Sequence, residues 1–337
     1  MKKSRFIVVL AFLATLTLGA SGCVIEDDGC FDNCCFGCNP EIFTIQQAID
    51  FALPGDTVFI ENGVYSPSTN GEFFPIFMRN DVSVIGQDPE NTILDAEGTG
   101  YVLDFFNYNV GTVANFTVIG GLSNLGGGIY AESSSGNIQN MIVTGNRASE
   151  AGTGVYVVTS SGLTITNTIV VGNSGTPDAI DDPAQVDLDA SNIAFINNVV
   201  ANGDTDGVRL NFGSTGTFEN NIFFDNGSDA FGVGLADNAV ESAANILYNI
   251  TFGNAEGDYF LNGFIMTASE ANDFFPDDQI ANNFSADPLF NNPAVGDFTL
   301  QFGSPAIQAG DPNPVFDNPD GSRNDIGAFG GPGADGP

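Results

Sequence analysis

Short apolar stretches, each opened by a polar residue or Asn and closed by Gly or Asn, recur along the middle of the chain. Their central apolar residues are Ile142, Ile169, Val199, Ile222 and Ile250, at steps of 27, 30, 23 and 28 residues. β-Branched residues separated by turn-forming Gly and Asn favour short strands over helices. Steps of such uneven length are not typical of helical hairpin arrays, so the pattern predicts one solenoid coil per repeat.

A second series of strands lies out of phase with the first. Its leading apolar residues are Ile129, Val155, Val186, Val208 and Val233. Side chains alternate between the two faces of a strand, so Val155 and Val157 are predicted to point inward, as are Val208 and Leu210. Each coil then has at least two strands, and Asn side chains at the turns are expected to form hydrogen-bonded ladders. The predicted fold is all-β, a parallel β-helix wound as a single-stranded solenoid.

The two ends of a solenoid expose strand edges, which need covering. Residues 42–52 predict a short N-terminal capping helix with Ile42, Ile45, Ile49 and Leu53 on one face. The Pro- and Gly-rich segment from Ser304 to Pro337 is expected to cover the other end or fray from it. These features predict one solenoid domain over residues 42–330, with a Gly/Pro-rich tail at 331–337.

Two segments resemble right-handed parallel β-helix proteins of the pectin lyase-like superfamily. The opening one is TIQQAIDFALPGDTVFIENGVY at 44–65, and the closing one includes DPLF at 287–290, GSPAIQAGD at 303–311 and DIGAF at 325–329. The resemblance spans nearly all of residues 42–330 and implies a right-handed coil. It implies no single activity, because the superfamily holds lyases, hydrolases, esterases, epimerases, adhesins and members without known chemistry.

Composition excludes several classes of protein. The 337 residues include 42 Asp and Glu, 7 Lys and Arg and no His, for a net charge of -35. Without His, enzymes that need a histidine base, triad or metal ligand are excluded. The negative charge repels nucleic acid. The acidity indicates either calcium binding through oxygen ligands or adaptation to a saline habitat, and composition does not separate the two.

The N-terminus predicts an export signal. Lys2, Lys3 and Arg5 precede an apolar run, residues 6–18, that is too short to span a bilayer. The sequence ASGC at 20–23 resembles the bacterial lipobox, which implies removal of residues 1–22, a lipid on Cys23 and attachment at the outer membrane or cell surface. A plain secretory signal is the alternative.

The remaining cysteines fall in a predicted tether, residues 23–41. They are Cys30, Cys34, Cys35 and Cys38. In an oxidising compartment two disulfides are expected, with three possible connectivities. A structural zinc site is the alternative, although adjacent Cys34 and Cys35 make its spacing cramped.

The second series also predicts an external face. The outward pairs on successive coils are Tyr130 and Glu132, Tyr156 and Val158, Asp187 and Asp189, Arg209 and Asn211, and Gly234 and Ala236. Aromatic rings can pack on sugar rings, and carboxylates with an Arg can bind hydroxyl groups or hold calcium. The face therefore predicts a monomer that binds a polysaccharide or a cell-surface partner without turnover.

Two other functions stay open. By resemblance to pectate-lyase-like enzymes, Asp187 and Asp189 would hold calcium and Arg209 would act as the base of a polysaccharide lyase, whereas a structural alternative pairs Asp187 with Arg209 across coils. Asp204 and Asp206 resemble part of a polygalacturonase motif whose other elements are missing, so they predict a turn or a weak calcium loop. The third function is a structural surface spacer or adhesin.

Overall fold

The computed structural model describes residues 6–9, 23–25, 44–179, 183–227, 233–237, 244–261, 263–274 and 279–334. Across these ranges the chain is a β-solenoid of three long sheets. The helices are α1 at Ile45–Phe51 and α2 at Ala268–Phe274, with short 3-10 turns at Pro293–Val295 and Pro314–Phe316. This arrangement confirms the predicted all-β parallel solenoid.

Successive coils add one strand each to sheets 1, 2 and 3, in that order along the chain. Sheet 1 contains Cys23–Ile25, Phe6–Val9, Thr57–Ile60, Ser83–Gly86, Thr112–Ala114, Asn137–Gln139, Ser161–Thr166, Asn192–Ile196, Thr215–Glu219, Ala244–Leu247 and Ile280–Ala281. Sheet 2 contains Gly63–Tyr65, Thr92–Asp95, Thr117–Ile119, Ile142–Thr144, Ile169–Val171, Val199–Ala201, Ile222–Phe224, Ile250–Phe252 and Phe284–Ser285. Sheet 3 contains Ile76–Phe77, Leu103–Phe106, Ile129–Glu132, Val155–Val158, Val186–Asp189, Val208–Asn211, Val233–Asp237, Gly257–Leu261 and Phe264–Met266.

Two smaller sheets complete the architecture. A side sheet between sheets 2 and 3 contains Leu122–Leu125, Arg147–Ala151 and Ser174–Gly175, and a hairpin near the C-terminus contains Phe290–Asn292 and Asp297–Leu300. Strands of neighbouring coils pair in parallel, and the antiparallel pairs are at the two ends of the molecule and in the C-terminal hairpin. Each coil thus contributes to three long sheets with three different outer faces.

Strand register confirms both predicted series except at one rung. The five residues of the first series pair one with the next in sheet 2. In sheet 3, Ile129, Val155, Val186 and Val208 also pair in sequence. The last rung was predicted wrongly, because Val208 lies opposite Leu235 and not Val233. A shift of two residues keeps every side chain on the same face, so the alternation could not reveal it.

The interior is filled as the alternation predicts. Val155, Val157, Val208 and Leu210 are all buried in one continuous core. Stacking one coil on the next places each inward side chain beside its counterpart about 4.8 Å away, which leaves little free volume. Sheet 3 can therefore present its outward side chains on a rigid support.

Amide side chains form ladders at two inner corners, as expected. At the corner between sheets 1 and 2, Asn198 donates to Asn221 (3.1 Å), Asn221 to Asn249 (2.9 Å) and Asn249 to Asn283 (3.0 Å). Each of these side chains is buried and also donates to a main-chain carbonyl of the preceding coil, such as Phe195 O. The ladder satisfies the buried polar groups of the turns.

In the second ladder, a Gln side chain replaces one Asn. Asn173 donates to Gln185 (3.1 Å), and Gln185 donates to Asn226 (2.7 Å). Gln185 fills the position that an Asn would take in the intervening coil, where the corner residue is Gly203. A Cβ at Gly203 would lie 2.6 Å from the Gln185 side chain, so the small residue makes room for the longer amide.

Helix α1 lies at the N-terminal end of the core. A reciprocal capping box fixes its start, since Thr44 Oγ1 accepts from Gln47 N (3.1 Å) and Gln47 Oε1 accepts from Thr44 N (3.2 Å). Ile45 and Ile49 are buried as predicted. The prediction for Leu53 was wrong: α1 ends at Phe51, and Leu53 lies on the extended chain that follows, 53% exposed. Ile42 lies outside the described residues.

Part of the predicted export signal joins the solenoid. Phe6–Val9 pairs in parallel with Thr57–Ile60, the first strand of the coils, and Ile7 and Val9 are buried. Cys23–Ile25 pairs antiparallel with Phe6–Val9. In the described ranges, no helix has the length and apolar composition needed to cross a membrane.

The C-terminal segment, residues 288–334 and called the strap below, lies along the outer face of sheet 2. Its buried apolar residues Phe290, Phe298, Ala306, Ile326 and Ala328 form a second core with Ile169, Val199, Ile222 and Ile250. The expectation that this segment would cover or fray from the C-terminal end was therefore wrong. Helix α2 packs against the last coils instead, with Ala268 and Ala271 buried.

Corner asparagines hold the strap in place. Asn220 Oδ1 accepts from Asp311 N (2.9 Å), Asn197 Nδ2 donates to Asp325 O (3.0 Å), and Asn167 Nδ2 donates to Gly330 O (2.7 Å). These three asparagines have positive φ angles of 58°, 55° and 50°. Asn tolerates this backbone conformation better than most residues, and its side chain is then available to bind the strap.

We expect Asn221→Ala to destabilise the solenoid strongly. It removes both a donor and an acceptor from the buried ladder and leaves Phe195 O, Asn198 N and Asn198 Nδ2 without this partner. Because each stranded buried group costs about 1–3 kcal/mol, the total loss is expected to reach roughly 3 kcal/mol or more. Urea denaturation followed by circular dichroism measures it. The control is Asn291→Ala, at an exposed amide, with an expected change within about 0.5 kcal/mol; equal losses in the two variants would contradict the role of the ladder.

Candidate functional site

The outer face of sheet 3 brings the predicted site residues together. Tyr130, Tyr156, Asp187 and Arg209 occupy one line across four adjacent strands. Glu132, Val158, Asp189 and Asn211 occupy the parallel line two residues further along the same strands. Alternation along the strands places both lines outward, because their sequence neighbours fill the core.

Three tyrosine rings contact one another along this face, tilted by 37° and 42° between successive ring planes. Ring centroids are 5.6 Å apart for Tyr101 and Tyr130 and 5.8 Å apart for Tyr130 and Tyr156. Each hydroxyl donates to a carboxylate: Tyr101 to Asp104 (2.7 Å), Tyr130 to Glu132 (2.8 Å) and Tyr156 to Asp189 (2.6 Å). The repeated tyrosine–carboxylate pair fixes the orientation of each ring on the sheet.

Burial and the carboxylate partners control the ionisation of these tyrosines. Burial first, and then the hydrogen bond to Glu132, raise the pKa of Tyr130 to about 12. The pKa values of Tyr101 and Tyr156 are raised further by burial and by Asp104 and Asp189, respectively. All three hydroxyls therefore remain protonated donors at physiological pH.

The exposed part of the face differs from the predicted part. Tyr156 is only 6% exposed, so most of its ring is inaccessible to a ligand, whereas Phe77 and Phe106 are 54% and 57% exposed. Phe77 lies opposite Asp104 and Phe106 lies opposite Glu132, so both extend the two lines toward the N-terminus. The accessible surface is therefore centred on Phe77, Tyr101, Phe106, Tyr130 and Glu132, which is called the aromatic face below.

Sequence reasoning missed four residues of this area, Phe77, Tyr101, Asp104 and Phe106. The alternation of the second series could have found Asp104 and Phe106, because Leu103 pairs with Ile129 as the preceding member of that series. Tyr101 precedes the strand, where alternation gives no information.

Asp187 has a structural position. It is 1% exposed, and its Oδ2 accepts from Gly152 N (2.8 Å) and Ala184 N (2.9 Å), which ties two turns together. Gly152 has a φ of 59°, and a Cβ there would lie 2.7 Å from Tyr156 Cβ. Burial raises the pKa of Asp187 to about 6, although the charge of Arg209 and the two N–H groups oppose the rise.

Arg209 donates from Nη2 to Asp206 Oδ2 at 2.8 Å, and the two side chains are 13% and 5% exposed. Asp204 Oδ1 accepts from Gly175 N (3.1 Å), which ties its loop to the side sheet. The four acids predicted as calcium ligands, Asp187, Asp189, Asp204 and Asp206, thus each interact with a different protein group. Among the residues that the structure describes, no group of three or more acid or Cys side chains is arranged to hold a metal.

The cysteine predictions fall largely outside the structure. Cys30, Cys34, Cys35 and Cys38 lie outside the described residues, and of Cys23 the backbone strand is described. Disulfide pairing, zinc binding and lipidation remain predictions.

A cleft of about 1290 Å³ lies on a different face, over sheet 2. Its floor includes Thr117, Ile142 and Ile169, and its walls include Glu90 on one side and Pro293 of the strap on the other. None of the predicted site residues lines it. Its aromatic lining residues, Phe298 and Phe329, belong to the strap and pack in the second core, so it offers little aromatic surface to a ligand.

Two carboxyl groups, of Glu219 in sheet 1 and Asp311 in the strap, lie together outside the predicted site. Glu219 is 4% exposed, and burial followed by the hydrogen bond and negative charge of Asp311 raises its pKa to about 8. The pair lies outside sheet 3. No local pattern could reveal this pair, because Glu219 and Asp311 are far apart in the chain.

Comparison with known families agrees with this architecture. A family model described as "Right handed beta helix region" matches residues 90–275, more than half of the chain. The chain belongs to the right-handed β-helix family. No curated protein matches it. A solved structure titled "Geobacillus virus E2 - ORF18" shares 12% identity over 65% of this chain and 54% of its own, with a TM-score of 0.29. The chain thus spans about half the length of that protein.

For this right-handed β-helix, we expect Asp187→Asn to change how stability depends on pH. The folded pKa of Asp187, about 6, exceeds the ordinary value of 3.8, so the folded state binds the proton more tightly. Stability from this group is then full below about pH 4 and is lost as pH rises to about 6, by up to roughly 3 kcal/mol. The neutral variant should lose less stability across that window.

Urea denaturation of both proteins at several pH values between 3.5 and 7.5, a range of about four units, measures this difference. Asp178→Asn, at an exposed carboxylate, is the control and should follow the wild-type profile. Parallel profiles for Asp187→Asn and the wild type would show that Asp187 does not titrate in this range.

Proposed function

We propose that this β-helix protein is exported, anchored by a lipid on Cys23 at the outer membrane or cell surface, and binds polysaccharide on the aromatic face of sheet 3 without turnover. The observation that carries the proposal is the contact between the Tyr101 and Tyr130 rings on the same face as the exposed rings of Phe77 and Phe106. Rings fixed on a rigid sheet can pack against the apolar faces of sugars at little entropic cost.

Polar groups around the rings support the same proposal. Asp104, Glu132 and Asp189 each accept from one tyrosine hydroxyl, and the partly exposed carboxylate of Glu132 has further acceptor sites for ligand hydroxyls. Binding without turnover is favoured over the lyase alternative because Arg209, its candidate base, donates to Asp206, and Asp187 is enclosed by protein.

We expect Phe77→Ala combined with Phe106→Ala to weaken polysaccharide binding by roughly tenfold or more, since aromatic contacts contribute about 0.5–1.5 kcal/mol each beyond their buried area. Affinity gel electrophoresis of the full chain through a panel of immobilised polysaccharides measures the effect. Phe302→Ala is the matched control, because Phe302 is fully exposed on the strap. Equal retardation of all three proteins would place binding elsewhere, and absence of retardation on every polysaccharide would favour the spacer function.

We expect Cys23→Ser to release the protein from membranes. Without the thiol no lipid can be attached, and the apolar run of the export signal is too short to span a bilayer. Detergent phase partition of the protein expressed in a bacterium measures this, with the wild type in the detergent phase and the variant in the aqueous phase. Cys30→Ser, outside the lipobox, should partition like the wild type. A detergent-phase Cys23→Ser protein would contradict the lipid anchor.

A further inference from the structure

The arginines that the structure describes form intramolecular contacts. Lys2, Lys3 and Arg5 belong to the predicted signal, and the chain has four other basic residues, all Arg. Arg79 Nη1 donates to Asp50 O (3.0 Å) and Ala52 O (2.7 Å), at the end of α1.

The other arginines have similar roles. Arg147 Nη2 donates to Gly175 O (3.4 Å) within the side sheet. Arg323 donates from Nε to Gly310 O (2.7 Å) and from Nη2 to Ala309 O (3.1 Å), which fixes a bend of the strap. Arg209 is the one arginine on the outer face of sheet 3, and it forms the ion pair with Asp206. Each described arginine therefore stabilises a turn or an end of the solenoid.

Within the described ranges of the chain, the aromatic face contains acceptors but no cation. Glu132 lies within it and Asp104 lies between Phe77 and Tyr130, while Asp189 lies two strands from Glu132. An anionic sugar placed there would meet carboxylates at close range in the field of a chain of net charge -35. Screening over about 8 Å at physiological salt does not remove repulsion between groups in contact. Sugars that donate hydrogen bonds would instead meet acceptors.

We infer that the aromatic face selects glycans without carboxylate, sulfate or phosphate groups, whose hydroxyl or ammonium groups donate to its carboxylates. This inference rests on the proposed function and names the ligand class of the same face. It also sets the face apart from a uronate site, which would need a free Arg or Lys or a bridging calcium.

The test measures binding of the full chain to a neutral glucan, to chitosan as an amino polysaccharide, and to polygalacturonate, each with calcium and with EDTA. We expect binding to the glucan that is insensitive to salt, or binding to chitosan that weakens as salt is raised, and none to polygalacturonate. The first result would show that ligand hydroxyl groups donate to the carboxylates, and the second that ligand ammonium groups do. Binding of polygalacturonate in preference to both others, with or without calcium, would overturn the inference while leaving polysaccharide binding in place. No binding to any probe would overturn both.

A charge variant at the face supplies the matched control. Glu132→Lys places a free cation beside Tyr130, whereas Glu132→Gln removes the negative charge without adding a positive one. If missing cations exclude uronates, polygalacturonate should bind Glu132→Lys up to about fivefold tighter than Glu132→Gln, the scale of one exposed ion pair. Equal and negligible binding of both variants, with glucan binding retained in Glu132→Gln, would show that shape and not charge excludes the uronate.

Discussion

Hydrogen bonding between one coil and the next is the interaction on which this structure depends. Main-chain hydrogen bonds join the strands of successive coils within each sheet. At each corner the chain leaves the sheet, and its polar groups there remain inside the protein. The buried amide ladders satisfy those groups. Asn221, for example, contacts the coil before it and the coil after it through one side chain. Corner spacing is thereby kept regular, and only regular coils can align outward side chains into continuous lines.

The outer face of sheet 3 uses that regularity. Three successive coils each contribute one tyrosine, whose hydroxyl donates to a carboxylate. Tyr101 binds Asp104 in the strand that follows it, and Tyr130 binds Glu132 on its own strand. Tyr156 binds Asp189 on the adjacent strand. Asp187 also stabilises this face, because it accepts a hydrogen bond from Gly152 N and so holds the turn at Gly152 close to Tyr156. The tyrosine rings are thus oriented by hydrogen bonds before any ligand arrives, which limits the ordering entropy that binding would require.

The sequence predicted what is local or periodic. β-Branched residues with Asn and Gly between them located the strands, and alternation assigned Val155 and Val157 to the core and Tyr130 and Glu132 to the outside. It could not fix the rung at Leu235, because a shift of two residues preserves alternation. It did not place the strap, whose contacts to Asn167 join residues more than 160 positions apart. It also missed Tyr101, which lies before its strand, and the ion pair of Arg209, which forms with Asp206 inside the preceding turn.

The strap also determines how the molecule would carry a mechanical load. Its last described residues reach Asn167, in the middle of the solenoid, while its first residues lie beside the final coils. Tension applied at the C-terminus would be delivered to the centre of the solenoid and not to its last coil. The contacts at Asn167, Asn197 and Asn220 would then break one after another, as in unzipping, and the end coils would stay folded until the strap had been peeled away.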